Sequence, residues 1–337
     1  MSRDDVEHAL YEERSVVRMV GMRRTMFVVS LDVAPLLDRG CSRPLAAQQR
    51  RRTVKMLSDA GVVPDPEQWL DRVSAATLEA LRRRGEAVAG ELPEDVPELA
   101  TKIPYRPDRK WGGELGASTR VLFQLSAEGT IVRGRPRGSW LSSQYRWSAM
   151  DDWVELPDPD LDEDGIRAEL VRRYLDRFGP VTETDLVWWT GWTKTWVRKG
   201  LAAIGSLDVT LDDGATGYVL DDFEAGSDTP SSVALLPGLD ATVMGWKERE
   251  WYLGAHGAPL FDRNGNAGPT VWVDGRVVGG WGQLPDGEVV WRLLEDVGRE
   301  HGFGIEAKAA ALTEWLDGAV LATRFPSPLQ RELDGRG

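Results

Sequence analysis

The sequence predicts an α+β fold, on the basis of a pattern that occurs three times and a change of composition near residue 230. In each repeat an amphipathic helical stretch leads directly into two short β-rich stretches joined by a turn, at residues 4–29, 117–147 and 192–220. A helix that feeds a two-stranded hairpin is the second half of a winged helix, whose usual partner is duplex DNA. Three copies predict tandem winged-helix domains.

The composition excludes several classes of protein. The chain has 337 residues, 42% of them hydrophobic, with 15 tryptophans, which favours a folded protein of two or three domains. It has no run of about 18 apolar residues, its N-terminus is charged, and a single cysteine, Cys41, excludes an internal disulfide. We therefore expect a monomeric bacterial protein of the cytoplasm, associated with the nucleoid, with no cofactor, no metal and no membrane partner.

The net charge of −13 looks unfavourable for binding a polyanion, but the charge is unevenly distributed. Residues 1–147 carry 24 basic and 20 acidic residues, whereas the remaining 190 residues carry 17 and 34. Residues 14–55 alone hold ten basic and two acidic residues, and residues 101–147 hold nine and three. Because screening limits the reach of a charge to about 8–10 Å, a nucleic acid responds to such local faces. The charge allows that partner without proving it.

The first repeat, within a predicted domain over residues 1–66, is incomplete. Only three residues precede its helix, so the two helices that should come before it are missing. The apolar side of the remaining helix, with Val6 and Leu10, then needs another element to cover it. Either translation starts further upstream or this protein has lost the segment. Connecting helices complete the domain.

The second repeat, in a predicted domain over residues 67–150, is the most complete. The pattern predicts a helix over 74–85, a shorter helix over 86–99 broken by prolines, and a polar loop that leads to the third helix. Ser118 and Thr119 are placed near the N-cap of that helix. The order helix, helix, helix, hairpin is the one expected of a winged helix.

The third repeat occupies a predicted domain over residues 160–222. A helix over 165–179 is followed by a capping box from Thr182 to Asp185. The hairpin turns at Asp213-Gly214 and carries three aspartates, which would repel phosphate. We predict that this domain is mainly structural, or touches DNA only through basic side chains of its recognition helix. Those side chains are Lys194, Arg198 and Lys199.

A small antiparallel β domain is predicted over residues 230–320. Its segments are rich in glycine, tryptophan and β-branched residues, with hairpin turns at Asp274-Gly275 and Asp286-Gly287. A helix over 305–318 closes the domain. Residues 321–337 are predicted to be a frayed tail.

The strongest functional signal is a set of arginines on the first two hairpins. Arg133, Arg135 and Arg137 alternate, so an extended chain places them on one face, where they could line a phosphate backbone or enter a minor groove. The alternative is a solvated hairpin tip, and the arginine runs at 50–52 and 82–84 are interpreted as solvated helix faces. The predicted DNA-binding residues of the first two repeats are Arg18, Arg23, Arg24, Arg120, Arg133, Arg135 and Arg137.

Other chemical groups give weaker signals. The three histidines lie far apart, without metal-ligand spacing or a nucleophile motif, and are expected to be solvated or packed. The spacing of Trp188, Trp189, Trp192 and Trp196 favours packing in a helical core over base stacking. Asp240, in a polar group within an apolar region, is better explained as a turn cap than as a catalytic base.

Four long segments carry a family resemblance: ERSVVRMVGMRRTMFVV, GPVTETDLVWWTG, LLPGLDATVMGWKEREWYL and GNAGPTVWVDGRVVGGWGQ. They resemble the AlkZ-like winged-helix proteins, which include bacterial DNA glycosylases acting on alkylated purines and interstrand crosslinks. The resemblance implies tandem winged helices and a C-terminal β domain, with DNA in a basic channel. Glycosylases of the family carry a Gln-x-Gln motif upstream of the segment that matches Val16–Val29. This sequence contains no Gln-x-Gln, so its catalytic residues are unknown.

These observations predict a winged-helix protein that binds double-stranded DNA. The first hypothesis is a DNA-repair glycosylase-like protein, active as a DNA N-glycosylase if an extended N-terminus supplies the Gln-x-Gln segment. The alternative is a non-catalytic DNA-binding or regulatory protein. A third hypothesis is a protein-interaction scaffold, which would show no salt-dependent affinity for duplex DNA.

Overall fold

The computed structural model describes residues 2–105, 112–224, 226, 229–321, 323 and 325–335. The chain forms two compact units. The first comprises Met1–Arg173 and Arg198–Ile204, and the second comprises Tyr174–Val197 and Gly205–Gly337. The division crosses two helices, which therefore contribute residues to both units.

A helix and a hairpin open the first unit. The elements are α1 (Arg3–Glu7), a π-helical turn (His8–Glu12), β1 (Val16–Val20) and β2 (Met26–Ser30). Ser2 and Asp5 cap α1 reciprocally. β1 and β2 pair antiparallel, which confirms the first predicted hairpin. Its turn holds Arg23 and Arg24 in the left-handed region, with φ of 55° and 63°.

Two long helices follow. The elements are α2 (Ala34–Leu37), a π-helical turn (Asp38–Ser42), α3 (Arg43–Ala60) and α4 (Pro66–Arg84). α4 begins at Pro66, well before the predicted start near residue 74. The Asp65 side chain accepts the Gln68 N–H at 3.0 Å, and proline suits the first turn because its missing N–H is not needed there. This N-cap, rather than apolar periodicity, therefore sets the boundary.

The segment after α4 differs from its prediction. The elements are β3 (Ala87–Val88), 3-10 turns at Leu92–Glu94 and Pro97–Ala100, β4 (Lys102–Tyr105) and β5 (Gly113–Gly116). The predicted helix over 86–99 is wrong, because Pro93 and Pro97 lack the N–H that a helix interior needs and only single turns form. The predicted polar loop contains the β4–β5 hairpin, whose connection lies outside the described residues.

The second predicted hairpin is confirmed. The elements are α5 (Ala117–Ala127), β6 (Ile131–Pro136), β7 (Tyr145–Ala149) and α6 (Met150–Trp153). β3, β7 and β6 form an antiparallel sheet in that order. The N-cap of α5 is Gly116, and no side chain caps the helix. Ser118 and Thr119 lie near the N-cap, as predicted, but they are in the first turn of the helix and neither side chain caps it.

The core of the first unit fixes α5 against the β6–β7 hairpin. Apolar side chains of α3, α4, α5 and the sheet pack together and are almost completely buried. Its most buried members include Leu57, Leu70, Leu81, Ile103, Val121 and Ile131. Because interiors of this kind are closely packed, the exposed side chains of α5 keep a fixed position relative to the hairpin.

The third predicted repeat contains three helices and a hairpin. The elements are α7 (Glu163–Phe178), α8 (Glu183–Thr190), α9 (Lys194–Ala203), β8 (Leu207–Thr210) and β9 (Thr216–Val219). β8 and β9 pair antiparallel around the predicted turn at Asp213-Gly214, where Gly214 has a φ of 83°. The predicted capping box is confirmed: the Thr182 hydroxyl accepts the Asp185 N–H at 3.1 Å, and the Asp185 carboxylate accepts the Thr182 N–H at 3.0 Å.

A four-stranded antiparallel sheet forms the rest of the second unit. The elements are β10 (Val233–Leu236), α10 (Glu250–Leu253), α11 (Gly257–Leu260), β11 (Thr270–Val273), β12 (Arg276–Gln283), β13 (Val289–Leu293), α12 (Gly298–Leu316) and α13 (Pro328–Leu333). The strands are ordered β10-β11-β12-β13. Both predicted hairpin turns lie between paired strands. α12 begins earlier than the predicted helix over 305–318.

The prediction of a frayed tail over 321–337 is wrong for α13. Ser327 accepts the Gln330 N–H at 3.3 Å as an N-cap, and Pro328 opens the helix. Leu329 is only 3% exposed, and the Asp334 carboxylate accepts the Gln283 N–H of β12 at 3.0 Å. The segment therefore packs on the sheet, because it supplies both an apolar side chain and an acceptor for a buried N–H.

Asp185 joins two segments of the second unit that are distant in sequence. One carboxylate oxygen accepts the backbone N–H groups of Lys247 and Glu248, at 2.7 and 2.9 Å. The other accepts the N–H and hydroxyl of Thr182, at 3.0 and 2.8 Å. The Asp185 side chain is buried. Water therefore cannot readily replace its carboxylate as the acceptor for these donors.

We expect Asp185→Ala to lower the free energy of unfolding by about 3 kcal/mol, since each buried donor left unpaired costs about 1–3 kcal/mol. Asp240→Ala is the matched control: its carboxylate accepts one N–H, that of Thr242, in an exposed turn, and its loss should cost below about 1 kcal/mol. Urea denaturation followed by tryptophan fluorescence measures both variants. Equal losses would contradict the structural role of Asp185.

Candidate nucleic-acid interface

The predicted DNA-binding arginines of the first two repeats lie on two hairpins and on α5. Arg18 is in β1, Arg23 and Arg24 form its turn, and Arg120 is on α5. Along β6, Arg133 and Arg135 alternate with buried residues, and the pairing with β7 shifts register between Arg133 and Pro136. Lys194, Arg198 and Lys199 are exposed on α9. Lys194 lies 3.2 Å from the Glu183 carboxylate.

Arg133 is not a solvated hairpin residue. Its guanidinium lies on the rings of Tyr145 and Trp147, 5.2 and 4.9 Å from their centroids. Burial lowers the pKa of Arg133, and the nearby charge of Arg18 acts in the same direction. Its Nε–H is buried without a hydrogen-bond partner. The aromatic faces therefore stabilise a charge that has lost part of its water.

Arg135 and Arg18 connect the N-terminal helix to the hairpins. The Arg135 guanidinium binds the carboxylates of Glu7 and Glu12, at 2.8 and 2.7 Å. Arg18 donates to the Tyr11 hydroxyl at 2.6 Å and to the Gly134 carbonyl at 3.3 Å. The charge of Arg135 is thus neutralised within the chain, and both side chains act in packing.

Three other arginines converge without acidic partners. We call Arg24, Arg52 and Arg120 the arginine cluster. Burial lowers the pKa of Arg24 and Arg120; the charge of Arg52 contributes to both shifts, and that of Arg24 to the shift of Arg120. Among the described residues, no carboxylate forms a salt bridge with any of the three, and the Nε–H of Arg120 is buried without a partner. The positive charge of such a cluster is not balanced by a carboxylate of the described residues and favours the binding of an anion.

The sequence prediction missed Arg52. Arg51 and Arg52 are exposed, in line with the interpretation of the run 50–52 as a solvated helix face. Arg50 pairs with Asp71 at 2.7 Å, and the charge of Arg52 contributes to lowering the pKa of Arg24 and Arg120. Which arginine of the run lies near Arg24 and Arg120 depends on which face of α3 packs against α5. The number of charged residues in the sequence does not indicate this packing.

A cavity of about 650 Å³ lies beside α5. The β3 segment, α5 and the β6–β7 hairpin form its walls. The rings of Phe123, Tyr145 and Trp147 line it together with Arg133 and Arg137. The sequence prediction missed this cavity because one wall was predicted as a helix over 86–99.

Phe123 joins the cavity to the arginine cluster. Its ring lines the cavity and also lies under the Arg24 guanidinium, 5.1 Å from the ring centroid. Arg120 and Phe123 are three residues apart on α5, so they share one side of the helix. We call this surface, formed by the arginine cluster, Phe123 and the cavity, the α5 face.

Several weaker candidates have structural roles. The Asp240 carboxylate accepts the Thr242 N–H at 2.8 Å, which confirms a turn cap. Trp189 packs on Tyr174 with 4.7 Å between ring centroids, in line with the packing interpretation. His256 pairs with Glu295 at 2.9 Å.

Neither a metal-binding cluster nor a membrane-spanning helix is present among the described residues. They contain no cluster of three or more histidine, cysteine, aspartate or glutamate side chains that could hold a metal ion. No helix among them is long and apolar enough to cross a membrane.

Comparison with known proteins identifies the family. The model of the family described as DNA glycosylase AlkZ-like matches residues 1–315. The chain belongs to this family. The resemblance expected from the four sequence segments is thereby confirmed.

A solved structure agrees with the fold of this AlkZ-like chain. The DNA glycosylase AlkZ of Streptomyces sahachiroi superimposes with a TM-score of 0.67 at 21% sequence identity, over 96% of this chain and 85% of that one. At this identity the likeness shows the fold alone. No curated protein matches the chain in sequence.

We expect Arg135→Ala to loosen the N-terminal helix. The substitution removes two partly exposed ion pairs and the contact of Arg135 with the Tyr11 ring, at 4.8 Å. Together these contacts stabilise the docked helix by about 1–2 kcal/mol. Amide hydrogen exchange over residues 4–12 should accelerate about tenfold. Arg146→Ala, which removes one pair with Glu86 at 3.2 Å, is the control. No acceleration beyond that control would show that Arg135 does not anchor the helix.

Proposed function

We propose that this chain binds double-stranded DNA through the α5 face and acts as a DNA-repair glycosylase-like protein on alkylated or crosslinked purines. The observation that carries the proposal is the arginine cluster, because three neighbouring guanidinium groups, none paired with a carboxylate of the described residues, match the phosphate backbone of DNA. Membership of the AlkZ-like family supports the repair role.

A winged-helix arrangement explains the geometry of this face. In the proposed assignment α5 is the recognition helix of the second repeat and β6–β7 is its wing, while β1–β2 is the wing of the first repeat. Arg24 at the tip of the first wing and Arg120 on the recognition helix would then contact neighbouring phosphates. The exposed lysines and arginine of α9 would add weaker contacts from the third repeat.

The chemistry of base release sets what the protein must provide. A cationic alkylpurine leaves as a neutral base, so its departure needs little protonation. The enzyme must instead position a water molecule and stabilise positive charge on the sugar. Among the described residues of the α5 face, the carboxylate of Glu91 is already held by Arg137 and by the Val88 N–H. This observation favours the second candidate function, a non-catalytic DNA-binding protein.

The binding part of the proposal makes a salt-dependent prediction. We expect Arg120→Ala to weaken binding to a duplex and to reduce the slope of log K against log salt by about 1, since each phosphate contact contributes about 0.9. Arg82→Ala is the control, because Arg82 lies on α4 and pairs with Asp151 at 3.3 Å. Fluorescence anisotropy at several salt concentrations measures both, and thermal melting checks the fold. A slope unchanged by Arg120→Ala would contradict contact through the arginine cluster.

Base release tests the glycosylase part. A duplex with one N7-methylguanine is incubated with the chain, and the released base is measured by chromatography, with the Streptomyces sahachiroi DNA glycosylase AlkZ as positive control. Release above the spontaneous rate supports the enzyme. Binding without release supports the non-catalytic function. Release only by a chain lengthened at its N-terminus would assign the catalytic residues to the added segment.

A further inference from the structure

The cavity beside α5 has the properties of a site for a small aromatic ligand. Its volume of about 650 Å³ lies within the range of about 300–1,000 Å³ that is typical of ligand sites. Its lining includes three aromatic side chains, those of Phe123, Tyr145 and Trp147, and polar groups such as those of Gln144 and Thr119. A planar group can stack on such walls, and a stacked base typically contributes about 1–3 kcal/mol.

The charge of the cavity further limits which ligands can bind there. Arg133 and Arg137 both line it, and Arg18 acts on Arg133 from nearby. Glu91 lies 3.4 Å from Arg137 and also accepts the Val88 N–H at 3.0 Å, so it is shared between two donors. The cavity therefore has an excess of positive charge. A cationic ligand would be repelled there, whereas an anion or a lone-pair acceptor would be attracted.

Arg133 indicates which acceptors fit. Its guanidinium lies on the rings of Tyr145 and Trp147 and lines the cavity. Guanine presents two adjacent acceptors, N7 and O6, in the geometry that one guanidinium binds. The exposed Arg137 lies at the same cavity and could bind a phosphate.

We infer that this cavity binds a guanine nucleotide whose base is neutral, and that it excludes the positively charged N7-alkylguanine. The base lies against Tyr145 and Trp147, and Arg137 contacts the phosphate. The nucleotide is either free in solution or part of a DNA strand, since both present the same base and a phosphate to the cavity. The inference goes beyond the proposed function, because the cavity holds an unmodified guanine and not the alkylated purine; it rests on that function for the choice of a nucleotide as ligand.

Equilibrium dialysis with dGMP tests the site. We expect dGMP to bind the full chain, deoxyguanosine to bind more weakly, and N7-methyl-dGMP to bind at least tenfold more weakly than dGMP. Arg133→Met should weaken dGMP binding at least tenfold. Arg146→Met is the matched control, because Arg146 lies on β7 in the same hairpin but pairs with Glu86 at 3.2 Å. It should leave dGMP binding unchanged.

A second variant covers the case in which Arg133→Met fails to fold. Gly90 lines the cavity, a Cβ added there meets no atom within 4 Å, and its φ is not left-handed. Gly90→Phe should therefore fold and fill the cavity, with the same loss of dGMP binding. Binding of neither dGMP nor the single-stranded trinucleotide TGT by the full chain, binding that both variants leave intact, or N7-methyl-dGMP bound as tightly as dGMP would overturn the inference.

Two further experiments distinguish a free nucleotide from a nucleotide within a strand, and distinguish this inference from the proposed function. If only the single-stranded trinucleotide TGT binds, and Arg133→Met or Gly90→Phe abolishes it, the nucleotide comes from a strand; binding of dGMP assigns a free nucleotide. Arg120→Ala should reduce the salt dependence of duplex binding and leave dGMP binding intact, because Arg120 is not among the residues that line the cavity. Failure of duplex binding with dGMP binding retained would overturn the proposed function alone.

Discussion

The first unit depends on the stabilisation of arginine charges that have lost part of their water. Arginine does not lose its proton in proteins, so a guanidinium that is partly buried needs a carboxylate or an aromatic face. Here aromatic faces supply much of that need: the Arg14 guanidinium lies 4.1 Å from the Trp153 ring centroid, and Arg24 and Arg133 lie on rings in the same way. These contacts join α6, the turn of the first hairpin and the second hairpin to their neighbours.

A guanidinium that is stabilised by an aromatic ring can still attract an anion, whereas one that is paired with a carboxylate is already neutralised. A salt bridge such as that of Arg84 with Glu94 and Asp95 cancels charge at the surface. A cation held on a ring keeps its charge and also has a fixed position, because the ring is fixed in the core. The α5 face therefore presents oriented positive charge with little loss of side-chain entropy on binding. In a chain with a net charge of −13, this local arrangement allows attraction to a polyanion.

The parts of the fold that the sequence predicts are those fixed by local chemistry. Hairpin turns at Asp274-Gly275 and at Asp213-Gly214, and the capping box from Thr182 to Asp185, depend on residues close in sequence, and all are present. The errors arise where distant contacts decide. α13 is helical because Leu329 and Asp334 meet β12, and the role of Arg52 depends on its distance from α5. The cavity needs three segments at once, so no single stretch of sequence indicates it.

The turn of the first hairpin shows what that positive charge costs the backbone. Two successive residues there, Arg23 and Arg24, adopt the left-handed conformation that glycine or asparagine adopts more easily. Each such residue costs about 1 kcal/mol or more. Glycines at these positions would give a more stable hairpin with two fewer cations at its tip. The sequence instead has a less stable turn that keeps both guanidinium groups at the tip of the hairpin.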